Sequence, residues 1–505
     1  MKQKKKLGKA LVFGVLAAAA LASCSGNPEG KGDVDTTLPT DDPTSAVKIT
    51  FWNCLGHAKS TVLDTIVAGF NEQYKGKYEV ESVKIAGDYD ALAEQTRTKL
   101  AANEVPAMIM GYPDNFSTYI GRSLDNSALL RLDNFISDPN YGYTQEEIAD
   151  FVPAFYEEGN DFQFEGQWSM PMYKSTEAMY YNASYFAGAN AQNLKKFEGN
   201  NDFTAKYNAA YKADATDDDL DALKTFIKAN NGYAYDVPET WEQMVATSRQ
   251  MVTDMKQEGV YQEFYPVGYD SDSNLMISQM AMRDIPYTTN DNISSPADHI
   301  VFKNDKTKEL ITELTGLINE KILTTKGVLG KYTNEYFTNS KSVMSIGSTG
   351  GSSYQVSSNF AVRLAAVPHP EGKEAKYIQQ GPSIAFFNNY NGYIHKGAWL
   401  FYKYMSEPVN SAKLALQNSY DPIRLSSFET TEYKNWVAQK DKDLKYAIPA
   451  LTGTLRNNYM TSSVFLGSET ARTEIGNTLK YVVAEKRSID QALDQAYNNT
   501  RKNTK

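Results

Sequence analysis

Val47-Lys48-Ile49-Thr50-Phe51-Trp52 places apolar residues at alternate positions, the period of a strand with one face buried. Directly after it, Val62, Leu63, Ile66, Val67 and Phe70 within Ser60 to Tyr74 fall on one face of a helix. A second strand, Tyr78 to Ile85, a second helix, Asp90 to Ala102, and a short apolar strand, Ala107 to Met110, follow in turn. Strands alternating with helices predict an α/β layer with a mostly parallel sheet. Ligands of such sheets sit beyond the carboxyl ends of the strands.

Upstream of this run the chain carries an export pattern. Lys2, Lys4, Lys5, Lys6 and Lys9 form a basic head, and the apolar stretch Ala10 to Ala22 is too short to span a bilayer comfortably. It ends in Leu21-Ala22-Ser23-Cys24, which resembles the lipobox of bacterial prolipoproteins. That resemblance implies a signal peptide over residues 1–23 and a lipid on Cys24; a plain secretory signal or an uncleaved anchor is the alternative. Residues 24–47 are rich in Asp, Thr, Pro and Gly and lack aromatics up to Ala46. They are expected to be a flexible tether with too little apolar surface to fold.

Loss of residues 1–23, which hold five lysines and no acids, takes the formal charge from −10 to −15. Nucleic acid and anionic membrane surfaces are therefore excluded as partners of the surface as a whole. The two cysteines are Cys24 and Cys54. With the first lipidated, the second has no intrachain partner, and an exported chain of this length must rely on its core, divided into two lobes.

Residues 187–236 read as a helical insertion. Thr216 followed by Asp217, Asp218 and Asp219 marks a helix start with acids at the positive end of the dipole, and Lys224 and Lys228 lie towards the other end. Lys396 to Met405 and Ile475 to Tyr497 are also expected to be helices. His57, His299, His369 and His395 stand at no metal-ligand spacing, so no metal is expected. Asp270-Ser271-Asp272-Ser273-Asn274 imitates the start of a calcium loop, but Leu275 and Ala281 occupy the positions where glycine and a bidentate Glu are needed. Gly347-Ser348-Thr349-Gly350-Gly351-Ser352 lacks the Lys of a P-loop and is no nucleophile elbow. No catalytic constellation, and no cofactor motif, is present.

Thirty-four tyrosines supply flat apolar faces and hydroxyls suited to sugar or polyol ligands. Met170-Pro171-Met172-Tyr173-Lys174-Ser175-Thr176-Glu177-Ala178-Met179-Tyr180-Tyr181-Asn182 then resembles the interlobe crossover of family 1 solute-binding proteins, the carbohydrate receptors of ABC importers. Further landmarks follow in order. Pro238-Glu239-Thr240-Trp241 opens a helix, Tyr336 to Met344 leads to Gly347-Ser348, and Ala398-Trp399, Tyr420-Asp421-Pro422-Ile423-Arg424 and Ala492-Leu493-Asp494 come after. The similarity spans nearly all of residues 48 to 500, and order and spacing carry it. It implies a two-lobed periplasmic-binding-protein type II fold with a hinge. The first lobe would comprise residues 48–172 plus 382–420, and the second 173–381 plus 421–505. It also implies a monomeric, extracytoplasmic receptor, not an enzyme, held at the membrane through Cys24 and docking on ABC permease subunits.

Within that family, Gly87-Asp88-Tyr89, Lys174-Ser175-Thr176, Gly347 to Gly350, Gly381-Pro382-Ser383 and Tyr420 are similar to ligand-lining segments of the glycerol 3-phosphate receptors. The interval from Arg472 to Asp494 matches Arg472 to the subgroup's phosphate-binding arginine. The resemblance thus implies a site of Tyr89, Asp114, Ser175, Ser348, Thr349, Gly381, Tyr420 and Arg472, with hydroxyls, backbone N–H groups and one guanidinium fork for a phosphate. The alternatives are a Gly-rich turn for Ser348 and Thr349, a packed hinge residue for Tyr420, a surface ion pair for Arg472 and wall structure for Tyr89. Two departures stand out: Pro113 takes the place of an acidic residue, with Asp114 one position later, and Tyr269 with the polar run to Asn274 replaces tryptophans. A neutral oligosaccharide of maltose type is therefore the competing ligand, with Trp52, Tyr112, Tyr173 and Tyr269 as stacking faces. A surface lipoprotein enzyme or adhesin on the same fold is the remaining alternative.

Overall fold

The alternation in residues 47–111 produces three strands, β1 (Val47–Asn53), β2 (Tyr78–Lys84) and β3 (Met108–Gly111), linked by helices His57–Gln73 and Tyr89–Ala101. β1 pairs parallel with both β2 and β3. The computed structural model describes residues 34–505 apart from 103 and 390; the expected signal segment and Cys24 lie outside the described residues. Two later segments complete the first sheet, β4 (Met170–Pro171) and β11 (Ser383–Phe386), in the order β2-β1-β3-β11-β4. β11 runs antiparallel to both of its neighbours. The mostly parallel sheet expected is thus present among the strands joined by crossover helices, and the antiparallel member is β11, because chain returning from the other lobe enters from the opposite end.

The second sheet repeats this plan. Its strands are β5 (Glu177–Asn182), β6 (Val267–Tyr269), β7 (Leu323–Thr325), β8 (Met344–Ser348) and β9 (Val362–Ala365), ordered β7-β6-β8-β5-β9. β6 is parallel to β7 and β8, and β5, arriving from the first lobe, is antiparallel to β8 and β9. A short parallel pair, β10 (Tyr377–Ile378) with β12 (Tyr459–Met460), lies apart from both sheets. Each sheet has its own apolar core: Phe51, Phe70, Met108, Phe116, Trp399 and Phe401 in one lobe, Trp241, Met276, Ile311, Leu314, Ile346 and Ile475 in the other.

Several expectations change in detail. The segment read as a wholly flexible tether docks from residue 34 onward: Val34 and Leu38 are buried in the first core, Arg131 pairs with Asp35, and Lys77 with Asp42 at 2.6 Å. Few apolar groups suffice there because the lobe already offers a formed surface. Ile423 joins the first core, and Tyr433 packs with Ala412 and Leu416, although the expected division placed residues after 420 in the second lobe. The single helix expected over Ile475–Tyr497 is two, Ser468–Val483 and Ile489–Asn503. Ser488 and Gln491 form a capping box that starts the second. The insertion is helical, with its own small core around Phe203, Leu223 and Ile227. Its acidic run is a solvated helix start, where Thr216 and Asp219 form a capping box and Asp217 pairs with Arg363 at 2.8 Å.

The lobes are joined where three stretches cross side by side. Lys174 and Asp421 exchange backbone hydrogen bonds, Ser175 and Gln380 do the same, and Met172 N–H donates to Pro382 O. Gly381 sits in this ribbon at φ +97°, and a Cβ there would lie 2.7 Å from the Tyr173 carbonyl oxygen. Gly381→Ala is expected to lower stability by about 1–3 kcal/mol through backbone strain and this overlap. A lower urea midpoint with an unchanged denaturant slope is the expected reading.

Candidate functional site

Loops beyond the carboxyl ends of the parallel strands in both sheets face one cleft. After β2 and β3 come Asp88, Tyr89, Tyr112 and Asp114; after β6 and β7 come Asp270 to Asn274 and Lys326, and Ser348 is the last residue of β8. Helix Ser468–Val483 adds Arg472 from the second lobe. The cleft encloses a cavity of about 1150 Å³.

Its first-lobe wall is aromatic. The Tyr89 and Tyr112 rings meet edge to face at 4.8 Å between centroids. Behind them the Tyr173 and Tyr420 ring centroids lie 4.5 Å apart. Burial holds all four phenols above their ordinary range, so they remain neutral donors and acceptors.

Opposite charges face the cavity from the two lobes. Asp114 stands in the first turn of helix Pro113–Ile120, and burial pushes its carboxyl up, against the pull of Arg472. Neither Asp114 nor Arg472 has an ion-pair partner within 4.0 Å among the described residues. Arg472 instead donates through Nη2 to Asn274 Oδ1. Asn274 in turn donates through Nδ2 to Glu177 Oε1 at 2.7 Å, and Tyr269 OH donates to Glu177 Oε2 at 2.5 Å. Burial raises the Glu177 carboxyl to about 7.

The other carboxylates are largely committed within the protein. Asp270 accepts from Thr333 N–H and Gln355, Asp272 from Thr325 and Gly327 N–H, Glu469 from Arg97, and Glu158 from Lys174 and Ser383. Asp270 and Asp272 therefore act as loop and helix-start acceptors in the stretch that imitates a calcium loop. At the second-lobe rim, Tyr332 and Tyr354 are 56 % and 71 % exposed, and Lys326 Nζ lies over one face of the Tyr332 ring, 3.8 Å from its centroid. Asn334 Nδ2, donating to Tyr354 O at 3.1 Å, ties their two loops together.

Of the residues expected at the site, the structure brings Tyr89, Tyr112, Asp114, Ser348 and Arg472 together on the cleft lining. The rest lie elsewhere. Thr349 is fully buried, its N–H donating to Thr176 O, as a turn residue would. Ser175 is buried 3.4 Å from Ser348 Oγ, and Gly381 belongs to the hinge ribbon. Tyr420 packs against Gly350 and Gly381 as a hinge residue. Of the expected stacking faces, Trp52 is held in β1 against the first core, and Tyr173 and Tyr269 are about 1 % exposed, so none of these three presents a ring to ligand. Sequence reasoning missed Glu177, Asn274, Tyr332 and Tyr354 as cleft residues. Glu177 lay inside the crossover motif and Asn274 inside the polar run, but nothing in either marked a link to Arg472.

Two α/β lobes on crossing strands, with one large cleft lined from both sides, define a two-lobed ligand-capturing protein of the periplasmic binding type. The chain belongs to the bacterial extracellular solute-binding proteins, whose family model matches residues 65–441. It is 21 % identical over 397 residues, 78 % of each chain, to the sn-glycerol-3-phosphate-binding periplasmic protein UgpB of Agrobacterium fabrum. Among solved structures it is similar to the cyclic alpha-maltosyl-1,6-maltose binding protein from Arthrobacter globiformis, with a TM-score of 0.64 and 15 % identity over 91 % of this chain and 99 % of the other. It is also similar to UgpB from Mycobacterium tuberculosis in complex with glycerophosphocholine, with a TM-score of 0.63 and 15 % identity over 90 % and 98 %.

Proposed function

We propose that this protein is the substrate receptor of an ABC importer for a neutral carbohydrate of more than one ring. The ligand is held between the lobes and delivered to the permease without a chemical step. The observation that carries the reading is the pair Asp114 and Arg472, opposite charges facing the cavity from different lobes and not joined to each other. Vicinal hydroxyls satisfy both at once, donating to the carboxylate and accepting from the guanidinium fork. Binding then links the lobes, which is how a ligand favours the closed form. Tyr89 and Tyr112 provide apolar faces inside, and Tyr332 and Tyr354 provide them at the rim. A cavity of about 1150 Å³ exceeds the roughly 300–1,000 Å³ of ordinary small-molecule sites.

A polyol phosphate is the second reading. The unpaired fork of Arg472 and the likeness to a glycerol-3-phosphate-binding relative favour it. Against it, eight carboxylates line the cavity with three cations, and Asp114 would repel a phosphate dianion seated on Arg472. A zwitterionic phosphodiester would suffer less. Attachment to the membrane through a lipid on Cys24 belongs to the same proposal.

Thermal unfolding of the purified protein with maltotriose, cellotriose, glycerol 3-phosphate and glycerophosphocholine separates the readings. A bound ligand at a hundred times its Kd adds about 2.7 kcal/mol, a readable rise in Tm. Neutral oligosaccharides are expected to give that rise. A response confined to the two phosphate compounds would overturn the carbohydrate reading and leave the receptor role intact.

A further inference from the structure

Arg472 reaches the cleft through a side-chain chain that no ligand-contact argument requires. An amide has one donor end and one acceptor end, and Asn274 uses both: Nδ2 donates to Glu177 and Oδ1 accepts from Arg472. Glu177, when ionised, only accepts, and Arg472 only donates. Turning the Asn274 amide over would set its oxygen against a carboxylate and its N–H₂ against a guanidinium, so its orientation is determined from both ends. Glu177 and Asn274 are 3 % and 1 % exposed, which shields the chain from competing water. Asn274 is also anchored along its backbone, where its N–H donates to Ser271 Oγ at 3.2 Å.

The spacing has a chemical consequence. A carboxylate placed directly on Arg472 would take the fork in a bidentate pair and spend its donors. With a neutral amide between them, Glu177 steadies the guanidinium through one Nη while the remaining N–H groups stay available to the cavity. We propose that Glu177 and Asn274 are positioning residues that aim Arg472 at the ligand and make capture depend on the charge of Glu177. This rests on the reading that Arg472 touches the ligand.

The charged and titratable groups facing Glu177 are Arg472 on helix Ser468–Val483 and Tyr269 and Asp270 from the end of β6. Tyr269 stays neutral across the accessible range, since burial holds its phenol well above the ordinary value. Burial also brings the Glu177 carboxyl to about 7, within reach of ordinary pH change. Below that pH the acid can donate rather than accept, and the Asn274 amide loses the partner that determines its orientation.

The test uses the full chain carrying ¹⁵N-labelled Asn and Arg, without ligand, followed by NMR from pH 5.5 to 8.5. In the unaltered protein the Asn274 amide and the Arg472 guanidinium signals are expected to titrate together with a midpoint near 7. In Glu177→Gln both profiles should be flat, and in Asn274→Ala the Arg472 signal should lose its pH dependence. Maltotriose affinity at pH 8 is expected to fall roughly ten- to a hundredfold in both variants, the range seen when a group behind a ligating side chain is removed. Arg472 signals indifferent to pH in the unaltered protein, or unchanged in both variants, would overturn the proposal. An Arg472→Ala variant that loses maltotriose while Glu177→Gln and Asn274→Ala bind as before would overturn it too. If the unaltered protein ignores maltotriose, the carbohydrate reading suffers, but the joint titration still decides whether the chain positions Arg472.

Discussion

Arg472→Ala should weaken capture of a neutral oligosaccharide by roughly ten- to a hundredfold, the equivalent of about 1.5–3 kcal/mol for hydrogen bonds made by a charged donor. The loss should be one of binding and not of folding. In the ligand-free protein Arg472 gives a single side-chain hydrogen bond, to Asn274, and pairs with no carboxylate within 4.0 Å among the described residues. Removing it exposes no unpaired ion in a core, so the unfolding midpoint without ligand should stay near that of the unaltered protein. Arg472→Lys keeps the charge but replaces the planar fork by a point charge, and should recover only part of the affinity. Asp114→Asn is the matching change on the opposite lobe: it keeps the shape and loses the acceptor charge. It should weaken a neutral oligosaccharide but strengthen glycerol 3-phosphate, because the repulsion of the phosphate across the cavity is gone. Calorimetric titration of the three variants against the best oligosaccharide and against glycerol 3-phosphate reads the outcome. Undiminished oligosaccharide affinity in Arg472→Ala would remove the guanidinium from the site.

The second large effect is on stability. Lys174, in the crossing ribbon, has a fully buried side chain, and its Nζ contacts Glu158 Oε2, Ser383 Oγ at 2.9 Å and Gly381 O at 3.2 Å. Burial pulls the Lys174 ammonium below its ordinary range although Glu158 opposes that shift. Lys174→Met leaves Glu158 without a cation in a site it cannot leave, a change that costs about 3–5 kcal/mol. Pairing Lys174→Met with Glu158→Gln removes the stranded charge and should return most of the loss, since an apolar or neutral replacement of a buried pair is often close to neutral. Guanidinium denaturation of the two single variants and the double variant forms a cycle. Additive effects would show that the two groups do not act as a pair. Because Lys174 ties Glu158 to β11 and to the crossing at Asp421, the single variants should also alter lobe closure on ligand, which small-angle scattering would register.

Parts of the site were legible in residue order. Tyr89, Tyr112 and Asp114 each stand one to five residues beyond a strand that alternation or apolarity identifies, and carboxyl ends of parallel strands are where such sheets bind. Ser348 ends β8 and was singled out only through the resemblance. Arg472 was reachable only through the resemblance, since nothing local distinguishes it from any arginine on an amphipathic helix. The stacking residues show the opposite failure. Trp52, Tyr173 and Tyr269 have the right ring chemistry, but whether a ring faces ligand or core depends on which side of a strand is covered, and by what. Tyr332 and Tyr354 sit in stretches whose composition suggests nothing, yet both end largely exposed at the rim.

Residue order was enough for the α/β class, the helix start at Thr216 and the helical insertion, which follow from periodicity or capping chemistry between residues a few positions apart. The crossover near residues 170–182 and the helix opened by Pro238 to Trp241 were legible only through the family resemblance. Tertiary structure alone decided that residues 34–46 dock on the first lobe, that the core of that lobe takes in Ile423, and that Glu177, Asn274 and Arg472 form one chain. These join groups far apart in sequence, and their partners exist only once both sheets have formed and the hinge has set one lobe against the other. Electrostatics sharpens that division. A carboxylate such as Glu177 acquires its pKa near 7 from burial, a property of the assembled lobe that no local stretch of residues encodes.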